Sequence, residues 1–379
     1  MREKILLYIA EYQYLARRFV QILFLMLVIN IGIKFYLFVS QIEAGILPNF
    51  ERPPGVEAFL PISALVSLKH FLFTGTINEI HPSALVLFLI ICLTALIAKK
   101  GFCSWVCPFG LLSEVLGKIH SHVFKKGLSI PFQLDLILRS LKYVIAGFFI
   151  YSIFYKMPMF SVEQFIQSPY NRFADLKMLK FFTRISGTAL TVILALIVIS
   201  IVIRYFWCRY LCPYGAILGI ISFLSLGKIK RNASNCTDCG RCEKTCPSSI
   251  KIRQDRYINS SECTACMACI QICPEENAIG FSFFSGKLRV NQTGLALILV
   301  LMFTLGIFMA KISGNWQNKV SKIEYLGYTM QSNLQLRNKG QADLKKIEKM
   351  IEIMKRIKAQ KTDMNHSFKG KEIKDDHSW

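Results

Sequence analysis

Twelve of the thirteen cysteines fall into four short motifs, and these motifs are where the chain could do chemistry. Two have the form C-x2-C-x2-C-x3-C-P. The first runs Cys236, Cys239, Cys242, Cys246 and Pro247; the second runs Cys263, Cys266, Cys269, Cys273 and Pro274. Thiolates at this spacing wrap the corners of an iron–sulfide cubane, and the fourth Cys of each run ligates the other cluster. The spacing therefore predicts one [4Fe–4S] cluster on Cys236, Cys239, Cys242 and Cys273. It predicts a second on Cys263, Cys266, Cys269 and Cys246. The prolines fit a turn away from the last ligand. A pair of zinc ribbons would also use C-x2-C, but zinc has no use for the repeated x3-C-P.

The other two motifs are C-x3-C-P, at Cys103, Cys107 and Pro108 and again at Cys208, Cys212 and Pro213. Both follow long apolar runs, so the elements that position them belong to a membrane. The chain is 53% hydrophobic over 379 residues, with apolar runs at Phe19–Ser40, Ser83–Ala98, Leu136–Tyr155, Ile185–Tyr205 and Gly294–Ala310. A crossing helix needs about 20 residues, which gives a working count of five spans. Lys34, Arg139 and Lys142 lie near span ends, where long side chains can snorkel. Cys92, the cysteine outside the motifs, reads as a small core residue.

Net charge is +22. In a membrane chain this reads as basic loops set by topology, and nucleic-acid binding is not expected. Basic residues around Arg17 and Arg18, Lys99 to Lys126, and Arg204 to Arg231 predict cytoplasmic segments. The loop 41–80, with Glu43, Glu51, Glu57 and Glu79, is predicted outside. Arg17-Arg18 reads as the positive flank of a retained first helix, with no cleavage site after it. Eight reduced thiolates place the cluster segment in a reducing, cytoplasmic setting. Five spans send the C-terminus outside.

The membrane part repeats. Gly101–Gly110 matches Phe206–Gly215, with Cys208 following Cys103 by 105 residues. Val56-Glu57-x-Phe59 matches Val162-Glu163-x-Phe165, and Leu68-Lys69 matches Leu176-Lys177. Both units begin and end on the same side, so the repeat is parallel. The segments 56–73 and 162–182 read as outer interfacial or re-entrant helices, broken by Pro61 and Pro169.

On a helix, Cys103 and Cys107 would show both sulfurs on one face, as would Cys208 and Cys212. A pseudo-axis would gather the four beneath the cluster segment. Three readings compete for them: a shared third iron–sulfur centre, two redox-active dithiols, and inert helix ends. The shared centre has the required four ligands and the symmetry. The neighbouring Phe102, Trp105, Phe206 and Trp207 read as an interfacial aromatic belt.

The stretch 236–274 resembles bacterial two-cluster ferredoxins. The whole pattern, with Gly55-Val-Glu-Ala-Phe-Leu-Pro-Ile-Ser-Ala64, resembles the membrane ferredoxin-type quinol dehydrogenases over about residues 15–320. That family serves periplasmic nitrate reductase systems, and related proteins are regulators and maturation factors of nitrous oxide reductase. The resemblance implies electron transfer between quinone and a periplasmic or membrane redox protein. It also implies quinone as substrate, a place in a complex, and the bacterial inner membrane. The chain departs from the family in its fifth span and its tail, and it lacks the flavin-attachment motif of the larger regulators.

A quinone site needs an apolar slot with a proton-accepting group at its mouth. Glu57, Lys69, His70, His81 and Glu163 are the outer-side candidates, with ordinary interface polarity as the competing reading of each. His120 and His122 belong on the inner surface. In the tail, Leu344, Ile347, Ile351 and Met354 predict a short amphipathic helix.

The expected fold is an all-α membrane bundle of two parallel repeats with a small α+β two-cluster ferredoxin insert. The divisions are 1–125 and 126–231 for the repeats, 232–285 for the ferredoxin, 286–312 for a fifth span and 313–379 for the tail. The expected function is quinol dehydrogenase-type electron transfer. A maturation factor that reduces metal or thiols for another metalloenzyme is the alternative.

Overall fold

The structure, a computed structural model, describes residues 2–124 and 131–332, with side chains from residue 15 onward other than those of residues 132 and 285. The amphipathic pattern at Leu344 to Met354 lies outside the described residues. The chain forms two compact units. One holds residues up to 39 and 50–320; the other holds 40–49 with the described residues from 321 onward. In the second unit the chain is helical from 322 to 332, and Lys322 Nζ donates to the Pro48 carbonyl (3.1 Å).

The first unit is mostly helical. Its helices are α1 (Arg2–Glu43, running on into the second unit), α2 (Pro61–Thr74), α3 (Pro82–Ala98), α4 (Gly101–Trp105), α5 (Pro108–Val123), α6 (Phe132–Ile150), α7 (Met159–Gln167), α8 (Pro169–Arg172), α9 (Ala174–Thr183), α10 (Gly187–Val202), α11 (Pro213–Ile221), α12 (Arg241–Thr245), α13 (Ala268–Gln271) and α14 (Gln292–Ile312). Proline opens α2, α3, α5, α8 and α11. Its missing N–H is an orphan there anyway, and its fixed φ suits the first turn. The breaks fall just before these residues: Pro108, Pro169 and Pro213 each open a new helix after the preceding one has ended, and Pro61 opens α2.

Among the described residues three helices are long and apolar enough to cross a membrane: Leu15–Glu43, Gln133–Lys156 and Gln292–Ile312. The pair α9 and α10 passes the same test together, bent by 79°. Helix α3 is shorter; its 17 residues rise about 26 Å, under the roughly 30 Å of a hydrocarbon core. Leu23, Leu27 and Ile33 of α1, Ile137, Val144 and Phe148 of α6, and Leu297, Leu305 and Phe308 of α14 face outward. Apolar surface on that scale fits lipid, and the chain is a membrane protein.

After α6 the helix widens into a π turn, Tyr151–Lys156. Lys69 ends there. Its buried ammonium donates to the carbonyls of Ile153 (3.0 Å), Phe154 (3.1 Å) and Met157, groups that a helix end leaves unpaired. This candidate for the quinone site is therefore committed to capping.

The cluster segment is bracketed by a three-stranded antiparallel sheet of β1 (Gly227–Arg231), β2 (Ile279–Phe283) and β3 (Leu288–Val290), in the order β1-β2-β3. Gly227 pairs with Phe283 and Arg231 with Ile279, so the chain enters on β1 and leaves on β2. The sheet sits against the end of α3: Leu226 N donates to Leu96 O (2.8 Å). A Cβ at Gly227 would lie 2.7 Å from Ile97 O and 2.4 Å from the Phe281 ring, which only glycine avoids. One apolar core joins Ala95 and Ala98 of α3, Leu299 of α14, Ile229 and Phe281 of the sheet, and Cys263 and Cys269.

Candidate cluster-binding site

The two longer cysteine runs fold alike. In the first, Asp238 (φ 57°) and Gly240 (φ 71°) are left-handed; in the second, Ala265 (φ 49°) and Met267 (φ 59°) hold the same places. Each short helix, α12 and α13, starts after the second of these residues. Left-handed residues in a turn can direct successive N–H groups to one side and make an anion-binding nest. The backbone amides of Arg241, Glu243, Ile250 and Ala265 favour the thiolate form of Cys239, Cys242, Cys246 and Cys263.

Two cavities result. One is lined by Cys246, Cys263, Cys266 and Cys269, together with Ile229, Ile252 and Ile258. The other is lined by Cys236, Cys239, Cys242 and Cys273. Each thus takes three cysteines from one run and the fourth from the other. Among the described residues no three His, Cys, Asp or Glu side chains converge on a single metal ion. Four thiols spread around a cavity, with amides aimed at the sulfurs, form a donor set that fits a larger anionic iron–sulfur group.

The four C-x3-C-P cysteines are half-buried and close enough to act on one another electrostatically. Burial pushes their thiols up, Cys107 to about 11 and Cys208 to about 12. The expected helical geometry is not what holds them. Helix α4 ends at Trp105, and Cys107 is extended (ψ 124°) as the N-cap of α5. Cys212 is likewise extended (ψ 111°) as the N-cap of α11, after a π turn over Trp207–Leu211. In both segments the second Cys amide reaches back five residues, Cys107 to Phe102 O and Cys212 to Trp207 O, each at 2.9 Å. The following helix then turns its first amides onto the sulfur. Gly110 and Phe109 serve Cys107; Gly215 and Tyr214 serve Cys212. N–H donors at a helix N-terminus favour thiolate, the form that binds metal.

The first C-x3-C-P segment touches the cluster loop directly. Lys100 N donates to Cys263 O (3.2 Å), Ser104 Oγ to Thr264 O (2.6 Å) and Trp105 Nε1 to Ala265 O (3.0 Å). Trp105 is wholly buried, so it is not part of an interfacial belt. Helix α6 holds the cluster loop from the other side. Tyr143 OH donates to Ser261 Oγ (3.1 Å) and Arg139 to Ser248 O (3.2 Å). Lys142 does not snorkel; it is fully buried and pairs with Glu262 at 2.6 Å. Lys100 pairs with the other Glu262 oxygen at 3.0 Å. Burial alone would raise the Glu262 carboxyl, but Lys100 and Lys142 outweigh it and hold it at about 2.

Each C-x3-C-P segment also has a clamp. Arg17 and Gln21 of α1 donate to Ser104 O (3.2 and 2.8 Å), and Arg17 pairs with Glu114 of α5 at 2.6 Å. Arg17-Arg18 is thus a structural clamp as well as a positive flank. In the second segment Arg209 and Tyr210 both bind Asp135 of α6, at 2.8 and 2.6 Å. Cys92 lies in α3 beside the core. His120 is buried against Ile201 O (2.8 Å) and is not an inner-surface group.

On the predicted outer side, Glu57 is buried in a charged cluster. Arg52 Nη1 donates to it (2.8 Å), Ala84 N donates to it (3.1 Å) and Ser83 Oγ donates to it. Arg52 also binds Asp175. His81 Nε2 donates to Asn171 O (2.6 Å), and Nδ1 faces Glu57 at 3.2 Å. Both neighbours are acceptors, which favours the doubly protonated ring. Burial opposes charge on Glu57 and His81 alike, and their mutual attraction, with Arg52 beside Glu57, wins. Glu57 is held below 4.5 and His81 above 6.5. Glu163 is exposed, and His70 bonds only its neighbours Thr74 and Thr76.

The sequence reading overlooked Glu262, Lys142, Asp135 and Ser104 as site-building residues. A charge placed beside a ligand, as Glu262 is beside Cys263, or midway in an apolar run, as Lys142 is, was the available signal.

Comparison with known proteins bears on these sites. A family described as "4Fe-4S binding domain" matches residues 80–131 and again 185–232, the stretches carrying the C-x3-C-P cysteines. A "4Fe-4S dicluster domain" matches residues 228–274. The chain is 39% identical over 317 residues to the "Putative electron transport protein YccM" of Escherichia coli (strain K12), covering 82% of this chain and 88% of that one. It is 28% identical to the "Regulatory protein NosR" of Pseudomonas aeruginosa over 49% of this chain and 26% of NosR. It is 26% identical to the "Methylamine utilization ferredoxin-type protein MauN" of Methylorubrum extorquens, over 55% and 64% of the two chains. No solved structure matches. By its iron–sulfur motifs, its membrane helices and its likeness to YccM over most of both chains, the protein belongs to the family of membrane ferredoxin-type electron transport proteins.

Proposed function

We propose that this chain carries electrons between membrane quinone and a redox partner protein, through iron–sulfur groups held at the inner rim of the membrane. The observation that carries the reading is the crosswise lining of the two cavities, each by four cysteines, three from one run and one from the other. Cys236, Cys239, Cys242 and Cys273 would hold one [4Fe–4S] cluster; Cys246, Cys263, Cys266 and Cys269 would hold the other. Such groups supply one-electron transfer at potentials set by hydrogen bonds to sulfur, charge and exposure.

Cys103, Cys107, Cys208 and Cys212 are read as a third, shared centre. Their proximity to one another, the paired N-cap amides and the 4Fe-4S description falling on both segments support it. The same double match supports two parallel membrane repeats, 1–125 and 126–231, followed by the ferredoxin at 232–285 and a further span at 286–312. Five spans follow if α3 crosses with its flanks and α10 counts as one crossing. The bacterial inner membrane, with the cluster segment on the cytoplasmic side, fits the basic flanks. The outer cluster around Glu57 and His81 is the proton-accepting candidate for quinol. Assembly with a partner protein supplies the substrate chemistry.

The test is spectroscopic, then functional. The purified protein should show two [4Fe–4S] signals and a third that Cys103→Ser with Cys208→Ser removes; an unchanged spectrum rejects the shared centre. In liposomes, quinol should reduce the clusters. A second reading, a regulatory or assembly factor, draws on the similarity to NosR. Intact clusters that quinol cannot reduce would favour it.

A further inference from the structure

Lys99 carries two costs at once. Its backbone (φ 56°, ψ −152°) lies in a region that essentially only glycine occupies, at roughly 1–3 kcal/mol. The conformation is held by its amide, which donates to Ser225 Oγ (3.0 Å). Its side chain is wholly buried, and Nζ has no hydrogen-bond partner among the described residues. A glycine here would remove the strain and the unpaired cation together.

The surroundings show what the charge faces. Lys99 acts electrostatically on Cys263, as does Lys100. Lys100 also acts on Cys103, Cys208 and Cys212, and Lys142 on Cys212. Lys100 and Lys142 share the single carboxylate of Glu262, at 3.0 and 2.6 Å. Two buried ammonium groups therefore share one buried carboxylate, and Lys99 adds a third buried amine that acts on Cys263 and is not paired with Glu262. The set of Cys236, Cys239, Cys242 and Cys273 has a different setting: Cys242 is buried but Cys239 is exposed, and Arg231, which lies against Cys236, and Arg253 are paired with Asp238 and Glu243, whose side chains are exposed or part-exposed.

We infer that the buried excess of positive charge centred on Lys99 sets a redox asymmetry in the insert, raising the reduction potential of the inner cysteine set, Cys246, Cys263, Cys266 and Cys269, above that of the outer set. The inference rests on the cluster reading above. Reduction brings in one electron, supplied in the test by a chemical reductant, and neither makes nor breaks a bond. A fixed cation in a low-dielectric setting favours the more negative state, and the solvent-screened outer set receives little of this effect. Lys99 is on this view a potential-setting residue, not a ligand.

The experiment is an EPR-monitored redox titration of the full chain in detergent, with the outer signal identified by its loss in Cys239→Ala. In the parent protein the inner signal should titrate at the higher potential. In Lys99→Met the inner midpoint should fall by roughly 59 mV, the one-electron equivalent of a tenfold change in the equilibrium, and the outer midpoint should move less. Lys99→Arg should keep the parent value. A purely structural Lys99 predicts a more heat-stable Lys99→Met protein with both midpoints unmoved, and that result overturns the inference. Equal shifts of both signals overturn it as well. If Lys99→Met loses its clusters, Lys99→Gln carries the test, with the same fall expected and an unmoved midpoint refuting it. A parent protein with no [4Fe–4S] signal refutes the cluster reading itself, and this inference with it.

Discussion

Trp105 and Tyr210 stand at the same place in the two C-x3-C-P segments, and both are wholly buried. Trp105 donates to Ala265 O in the cluster loop, whereas Tyr210 donates to Asp135 in α6. Their neighbours follow suit. Ser104 binds Thr264 O, while Arg209 binds Asp135. Further on the roles cross over: Glu114 of the first segment grips α1, and Gly219, at the matching position, packs against Ser261. The spacing that aims sulfur is the same in both copies. The residues between and after the cysteines have become docking groups for different neighbours. A recurring C-x3-C-P segment can thus meet one asymmetric insert without losing its own geometry.

The comparison breaks most sharply at the paired glycines. A Cβ on Gly110 would fall 1.8 Å from Cys103 O, whereas on Gly215 it would meet Cys208 O at 3.3 Å. Gly110→Ala should cost about 3 kcal/mol or more and Gly215→Ala about 1 kcal/mol, read by thermal unfolding in detergent. Equal losses would mean that the two segments are packed alike.

The matched outer segments offer the next test. Glu57 is buried among Arg52, His81 and Ser83, and Glu163 is exposed. Glu57→Gln should destabilise by about 2–3 kcal/mol, since it strands buried cations, while Glu163→Gln should be neutral. The pH dependence follows from the same cluster. The depressed Glu57 pKa contributes stability that is present above 4.5 and lost as pH falls through the lowered value. The raised His81 pKa contributes stability that is present below 6.5 and lost as pH rises through the higher value. The unfolding temperature should therefore fall on both sides of a mildly acid optimum, and Glu57→Gln should flatten both limbs. A parent profile that is flat through these windows contradicts the account.

Trp105→Phe and Tyr210→Phe each delete one buried donor, at about 1–2 kcal/mol. The first should expose 236–274 to protease, and the second should leave it protected. Matching digestion patterns would show that the insert leans on both segments equally. The smallest effect is expected of Ser113→Ala, which removes a hydroxyl 3.2 Å from Cys208 Sγ. No counterpart hydrogen bond is described at Cys103. A shift confined to the rim signal, well below that of Lys99→Met, would sharpen the contrast between the two halves.

Much of this was legible in the chain itself. The eight insert cysteines could be assigned to two sets because their intervals are local, and local intervals constrain a loop whatever surrounds it. The long apolar stretches of α1, α6 and α14 announce themselves through lipid-facing side chains. The readings of Lys69, Lys142 and Trp105 went astray for a common reason, and that of Arg17-Arg18 was incomplete for the same one. Each was judged against lipid or water, and each is matched by a protein group 84 to 160 residues away. A buried charge is decided by its partner, and partners distant in sequence leave no trace in local composition.

The sequence by itself therefore determined the number of thiols, their grouping in fours and the membrane setting, because spacing and hydropathy are properties of neighbouring residues. Only the tertiary structure decided which segment touches the insert, that Glu262 is shared by two lysines, and that the buried Lys99 Nζ has no hydrogen-bond partner among the described residues. Those outcomes depend on distances between elements far apart in the chain, and electrostatic energy in a buried site is a function of those distances alone.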